Sequence, residues 1–164
     1  MPPCQYTRDL RAIYRYIPYL YCSNNPYISL VEVRPRLKAN VSIATIKVLD
    51  NIRLLDYTIQ EKPASMNNPK INFFDDISLL YSTPVTSDDD ILDYIPTQFI
   101  AKYAKNLGYD GISFSSSITP EIAIAENRFN IVVFNYKKCI HIKSNVINIT
   151  GNYYDAVKTD EYEN

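Results

Sequence analysis

The chain is poor in the residues on which several mechanisms depend. It has no tryptophan, three glycines, one histidine and three cysteines among its 164 residues. Gly108, Gly111 and Gly151 can build neither a phosphate-cradling P-loop nor a dinucleotide-binding glycine fingerprint, each of which needs glycines at close, fixed spacing. A single histidine, His141, excludes an HExxH helix and a histidine-rich metal site. Cys4, Cys22 and Cys139 form no CxxC pair, a pattern that fits reduced thiols in a cytoplasmic setting. An excess of one charge is also missing. Seventeen Lys plus Arg face eighteen Asp plus Glu, for a net charge of −1, which supplies no basic surface for direct nucleic-acid binding. No apolar run approaches the roughly 18 residues of a membrane span. Arg8, Arg11 and Arg15 break up the stretch in which a signal peptide would place its apolar region.

What is present is globular in character: 46% hydrophobic and 21% charged residues, with length enough for one core. A single domain over residues 1–154 is expected, followed by an acidic, disordered tail over 155–164. The fifteen tyrosines are unusual. Tyr, Asn and Ile codons are AT-rich, so a compositional bias of the genome accounts for them without a functional reason.

Local patterns predict a mixed chain. Ile17 to Cys22 reads as a short strand. Asn25 then serves as N-cap and Pro26 as the first residue of a helix reaching about Arg34, ahead of Pro35. Tyr27, Leu30, Val31 and Arg34 fall on one stripe, with Ile28 and Glu32 on the neighbouring one. Strands follow at Val41–Val48 and Ile52–Leu55, then a loop over 58–72, a short helix from Asp75 to Tyr81, and a helical stretch starting at Ser87. In that stretch Ile100, Tyr103, Ala104 and Leu107 repeat at helical spacing, and Gly108 caps the end. Ile112–Ser115, Asn130–Tyr136 and Ile140–Ile149 complete the strands. Strands and helices alternate irregularly, so the expected class is α+β, mixed sheets with packed helices.

Residue types alone leave few candidates for chemistry. Glu32 borders an apolar helical face, where a carboxylate is either solvated or functional. Arg11, Arg15, Arg34 and Arg36 offer anion contacts without any distinctive spacing. Cys139 and His141, two apart, would share the face of a strand, as a nucleophile and its base could; ordinary neighbours in a late strand are the favoured explanation. Ser115-Ser116-Ser117 follow a strand but lack the G-x-S-x-G elbow of a hydrolase.

The order of several segments carries more. Ile17-Pro18-Tyr19-Leu20-Tyr21 followed by Glu32-Val33-Arg34-Pro35, then Tyr94-Ile95-Pro96-Thr97-Gln98, Leu107-Gly108-Tyr109-Asp110-Gly111-Ile112 with its serines, and Asn130-Ile131-Val132-Val133-Phe134 resemble, in the same order, the segments of the RES domain family. The likeness spans residues 10–136. It implies a fold similar to ADP-ribosyltransferases and an activity that breaks the nicotinamide–ribose bond of NAD+, as a glycohydrolase or a phosphorylase. NAD+ would be substrate, with no cofactor or metal. Family members act as toxins or defence effectors and are held by an Xre-type antitoxin; a homodimer is a further expectation. Residue by residue, the resemblance assigns Glu32, Ser116 and Tyr21 to catalysis, Ser117 being the neighbouring choice for the motif serine. It assigns Arg11, Tyr21 and Gln98 to substrate binding, Gln98 as a shaping residue. The family's G-R-x-N-P segment reads Leu10-Arg11-Ala12-Ile13-Tyr14 here. The resemblance therefore also implies a shortened N-terminus, and with it the alternative of an impaired remnant that only binds a partner.

Overall fold

The structure is a computed structural model and describes residues 5, 7, 9–58, 69–83, 91–116 and 127–151. The expected helix start at Ser87, Ser117 and the acidic tail lie outside them. Among the described residues the backbone forms six strands and three helices: β1 (Leu20–Ser23), α1 (Pro26–Glu32), β2 (Asn40–Val48), β3 (Leu54–Tyr57), α2 (Pro69–Ser82), α3 (Ile95–Asn106), β4 (Gly111–Ser115), β5 (Phe129–Val133) and β6 (Cys139–Asn148). Short 3₁₀ turns precede α3 and β6. This is the α+β class.

Four strands form the main sheet in the order β1-β5-β4-β3. The β1–β5 and β5–β4 pairs are antiparallel and β4–β3 is parallel. β2 and β6 form a separate antiparallel ribbon, with a register irregularity between Thr45 and Ile46. Register and the two-residue alternation of strands put Tyr21, Val132, Ile112 and Phe114 on one face of the main sheet. That face carries the core, closed by Ile77 and Tyr81 of α2 and by Ala101 and Ala104 of α3. Tyr81 stacks on Phe114 with centroids 4.6 Å apart and on Tyr57 at 5.8 Å, and Phe114 meets the edge of Tyr21 at 6.0 Å. Four aromatic rings thus run across the sheet from β3 to β1, each pair adding about 0.5–1.5 kcal/mol beyond area burial. Part of the tyrosine content has this structural use.

The Gly-Tyr-Asp-Gly segment sets the position of β4. Gly108 ends α3 at φ +84°, a conformation that suits glycine. Asp110 accepts from the Arg53 amide at 2.9 Å and pairs with Lys138 at 2.6 Å. Its own N–H donates to the Arg53 carbonyl at 2.8 Å. A Cβ on Gly111 would come within 2.2 Å of the Val132 carbonyl oxygen, so only glycine permits the close β4–β5 approach.

Three local expectations are corrected by packing. α2 begins at Pro69, so residues 69–72 belong to a helix and not to the loop expected over 58–72. In α1 the fully buried residue is Ile28, while Tyr27 is 45% exposed; the helix crosses the sheet end against β1, β2 and β5, and that placement chooses its inner face. In α3 the buried residues are Thr97, Gln98, Ala101 and Ala104, and Tyr103 and Leu107 face outward. Two alanines let the helix lie close to β4, which turns the expected stripe by about one residue relative to the 3.6-residue repeat. Elsewhere boundaries move by one to three residues: β1 starts at Leu20, α1 ends at Glu32, β3 covers Leu54–Tyr57 and β5 ends at Val133.

Candidate active site

β1 and β4 end, and β5 begins, at the same edge of the main sheet, because Ser23 pairs with Asn130 and Ser115 with Phe129. α1 starts at that edge. Asn25 caps it, its side chain accepting from the Tyr27 amide at 2.8 Å, and Pro26 occupies the first turn. Asn24 ties the turn to the head of β5: its amide nitrogen donates to the Asn127 carbonyl at 2.8 Å, and its side-chain oxygen accepts from the Phe129 N–H at 2.9 Å. The clamp fixes α1 relative to β5, and so Glu32 relative to Asn130.

Glu32 occupies the last residue of α1. A carboxylate there faces the negative end of the helix dipole, so its position serves the site and not the helix. Ser116, fully buried just past β4, donates its hydroxyl to Glu32 Oε1 at 2.7 Å. The Asn130 side-chain nitrogen donates to the same oxygen at 2.8 Å. Oε2 has no hydrogen bond among the described residues. The helix stops at once after Glu32, and Arg34 stands in the left-handed region at φ +44°, an uncommon conformation for a residue with a long side chain.

Tyr21 is half-buried beside this cluster. Burial first, then the nearby Glu32 carboxylate, pushes its hydroxyl well above the usual tyrosine range; Arg11 acts in the opposite direction. Tyr21 is therefore a neutral phenol near neutral pH. Arg11 is half-buried in the same neighbourhood. Burial lowers the pKa of its guanidinium, while Tyr21, Tyr94 and Glu32 raise it. Its Nη1 donates to the Leu80 carbonyl at 3.1 Å. Of the five residues singled out from sequence, Glu32 and Ser116 are thus in direct contact, and Tyr21 and Arg11 lie within electrostatic reach of Glu32 and of each other.

Gln98 sits apart from the Glu32 cluster. It is 2% exposed on α3, and its side-chain nitrogen lies 3.2 Å from Asp9 Oδ1, 3.2 Å from the Leu10 carbonyl and 3.0 Å from that of Ile13. The tight turn between Leu10 and Ile13, closed by a β-bridge, carries Arg11. Gln98 holds this turn. His141 engages the Ser144 hydroxyl at 2.8 Å, and Cys139 lines a cleft on the far side of the sheet. Asn130 opens one of the segments that carry the family resemblance, but the sequence assigned it no role in the site. Among the described residues no group of three His, Cys, Asp or Glu is placed to hold a metal, and no helix is long and apolar enough to cross a membrane.

The sequence has a counterpart among known protein families. A family model described as the RES domain matches residues 8–150. The chain belongs to the RES domain family. Its five segments thus sit within one family match, and Glu32 and Ser116, 84 residues apart, are in direct contact in this RES fold. No curated protein and no solved structure matches the chain.

Proposed function

We propose that this RES domain cleaves the bond between nicotinamide and ribose in NAD+, as a glycohydrolase or a phosphorylase, and acts in the cytoplasm as a toxin or defence effector restrained by an Xre-type antitoxin. The observation that carries this reading is the Glu32 carboxylate, one oxygen held by Ser116 and Asn130, beside an aromatic face and an arginine. Breaking the C1′–N bond sends the bonding pair to the ring nitrogen, so nicotinamide leaves neutral and positive charge develops on the ribose. A fixed carboxylate beside that ribose stabilises the oxocarbenium-like transition state. Water then adds to C1′ and loses a proton, giving ADP-ribose; phosphate oxygen in the same position gives the ribosyl phosphate. The Tyr21 ring suits the flat nicotinamide, and Arg11 suits the pyrophosphate. No step calls on a metal or a histidine.

A second reading is a remnant that binds a partner without catalysis. It is favoured by Leu10-Arg11-Ala12-Ile13-Tyr14, which keeps only the arginine of the family segment, and by the engagement of Arg11 with the Leu80 carbonyl. Incubating the purified chain with NAD+, with and without phosphate, and identifying the products separates the two. Nicotinamide with ADP-ribose or its phosphate supports the enzyme; intact NAD+ under both conditions supports the remnant.

A further inference from the structure

Asn130 is 1% exposed on β5, between apolar neighbours on the same face of the sheet. Its Nδ2 donates to Glu32 Oε1, and its Oδ1 is buried without a hydrogen-bond partner among the described residues. A buried acceptor without a donor destabilises a fold, and a branched aliphatic side chain would fill this strand position without that cost. Stability alone therefore does not account for an asparagine. Its one hydrogen bond goes to the carboxylate.

Glu32 needs such a partner. It is half-buried, sits at the unfavourable end of a two-turn helix and has a flexible stem. Ser116 and Asn130 approach Oε1 from different segments of the sheet, one after β4 and one at the start of β5. Two donors from separate elements converge on that one oxygen and hold it more firmly than either does alone. With Oε1 occupied, Oε2 is the oxygen left for the substrate. We infer that Asn130 is a positioning residue that holds Glu32 so that Oε2 faces the reacting ribose; this rests on the NAD+-cleaving reading above. A displacement of about 1 Å in such a group costs roughly 10²-fold in rate.

The test uses the full chain with NAD+ as substrate and compares wild type, Asn130→Ala, Asn130→Asp, Glu32→Gln and the Glu32→Gln/Asn130→Ala double variant. Circular dichroism establishes which variants fold. Both Asn130 variants should lose about 10- to 100-fold in kcat with KM within about threefold of wild type, since ground-state contacts with substrate are kept. Adding Asn130→Ala to Glu32→Gln should change nothing further. Asn130→Asp keeps the volume and removes the donor, so it carries the test if the alanine variant does not fold. A folded Asn130 variant with more than about a third of the wild-type kcat overturns the inference, as does an equal loss from Asn130→Ala in both backgrounds. Should the wild type cleave no NAD+, the reading of the reaction fails, and crystal structures decide the positioning. A Glu32 carboxylate within about 0.5 Å of its wild-type place in Asn130→Asp overturns it; one that has left Ser116 supports it.

Discussion

Tyr21 and Cys22 are neighbours in β1, yet they stand on opposite faces of one sheet and in opposite surroundings. Tyr21 looks toward the helices, where it meets the Phe114 ring and feels the charges of Arg11 and Glu32. Cys22 looks toward the β2–β6 ribbon, across a cleft of about 530 Å³ that Leu20, Ile131, Val133, Ile43 and Cys139 also line. Burial raises the pKa of both side chains. Around Tyr21 it comes with a cation, a carboxylate and donors that hold that carboxylate. Around Cys22 burial dominates, with Cys139 adding to it, and the thiol is pushed up to about 11. Burial by itself makes groups inert. Burial with partnered charge is what a site needs, and Glu32 with Ser116 and Asn130 supplies it on the helix-covered face.

The first way to break this comparison is to disturb what both faces share. Gly111→Ala drives a methyl group to within 2.2 Å of the Val132 carbonyl oxygen. It should destabilise the fold by roughly 3 kcal/mol and lower the melting temperature by about 10 °C. Thermal denaturation checks it, and an unchanged melting temperature would mean that β4 and β5 do not approach as closely as described.

A smaller effect is confined to one face. Gln98→Leu keeps the volume but removes the donor that holds the turn of Arg11, at a cost of about 1–2 kcal/mol. Binding of NAD+ should weaken with it, because Arg11 loses its fixed position. Titration calorimetry with the variant, beside a melting curve, separates the two consequences.

The smallest effect belongs to the cleft. At pH 8 the neutral Cys22 thiol should react slowly with iodoacetamide, and labelling should accelerate as pH rises toward 11. Because the folded pKa lies above the model-peptide value of 9.0, the neutral thiol favours the fold. That contribution is complete below pH 9 and is lost as pH rises from 9 to about 11. Cys22→Ala should leave NAD+ cleavage within about twofold of wild type, as expected for a substitution away from the reacting groups. A tenfold loss would tie the cleft to the chemistry and end the contrast between the faces.

Much of the fold was legible because it is written in neighbouring residues. Asn25-Pro26 marks the start of α1, the branched residues of Val41–Val48 mark β2, and the apolar run from Ile131 marks β5. The inner faces of α1 and α3 were not legible. Which stripe of a helix is buried depends on where the sheet lies, and two alanines outweighed the larger Tyr103 and Leu107. The Glu32–Ser116 contact joins residues 84 apart, a separation at which no local period carries information; only the order of motifs pointed to it. Asn130 was read only as the opening of a strand segment, because nothing in its neighbours ties it to a carboxylate 98 residues away. Its role appears only when the carboxylate it holds is in place. Gln98 was read as a shaping residue on resemblance alone, and the hydrogen bonds to the Leu10–Ile13 turn give that shaping a concrete form.

The central claim is that the charge on Glu32 acts on a developing positive charge, and Glu32→Gln addresses it most directly. Glutamine keeps the shape and an oxygen for Ser116 and Asn130 but removes the negative charge. Nicotinamide release from NAD+ should be followed for wild type and variant at equal concentration, with circular dichroism confirming that both are folded. The account predicts active wild type and a loss on the order of 10²–10³ in the variant, the usual cost of removing one well-placed electrostatic group. A folded variant that keeps more than about a tenth of the wild-type rate, well above that expected loss, would contradict it.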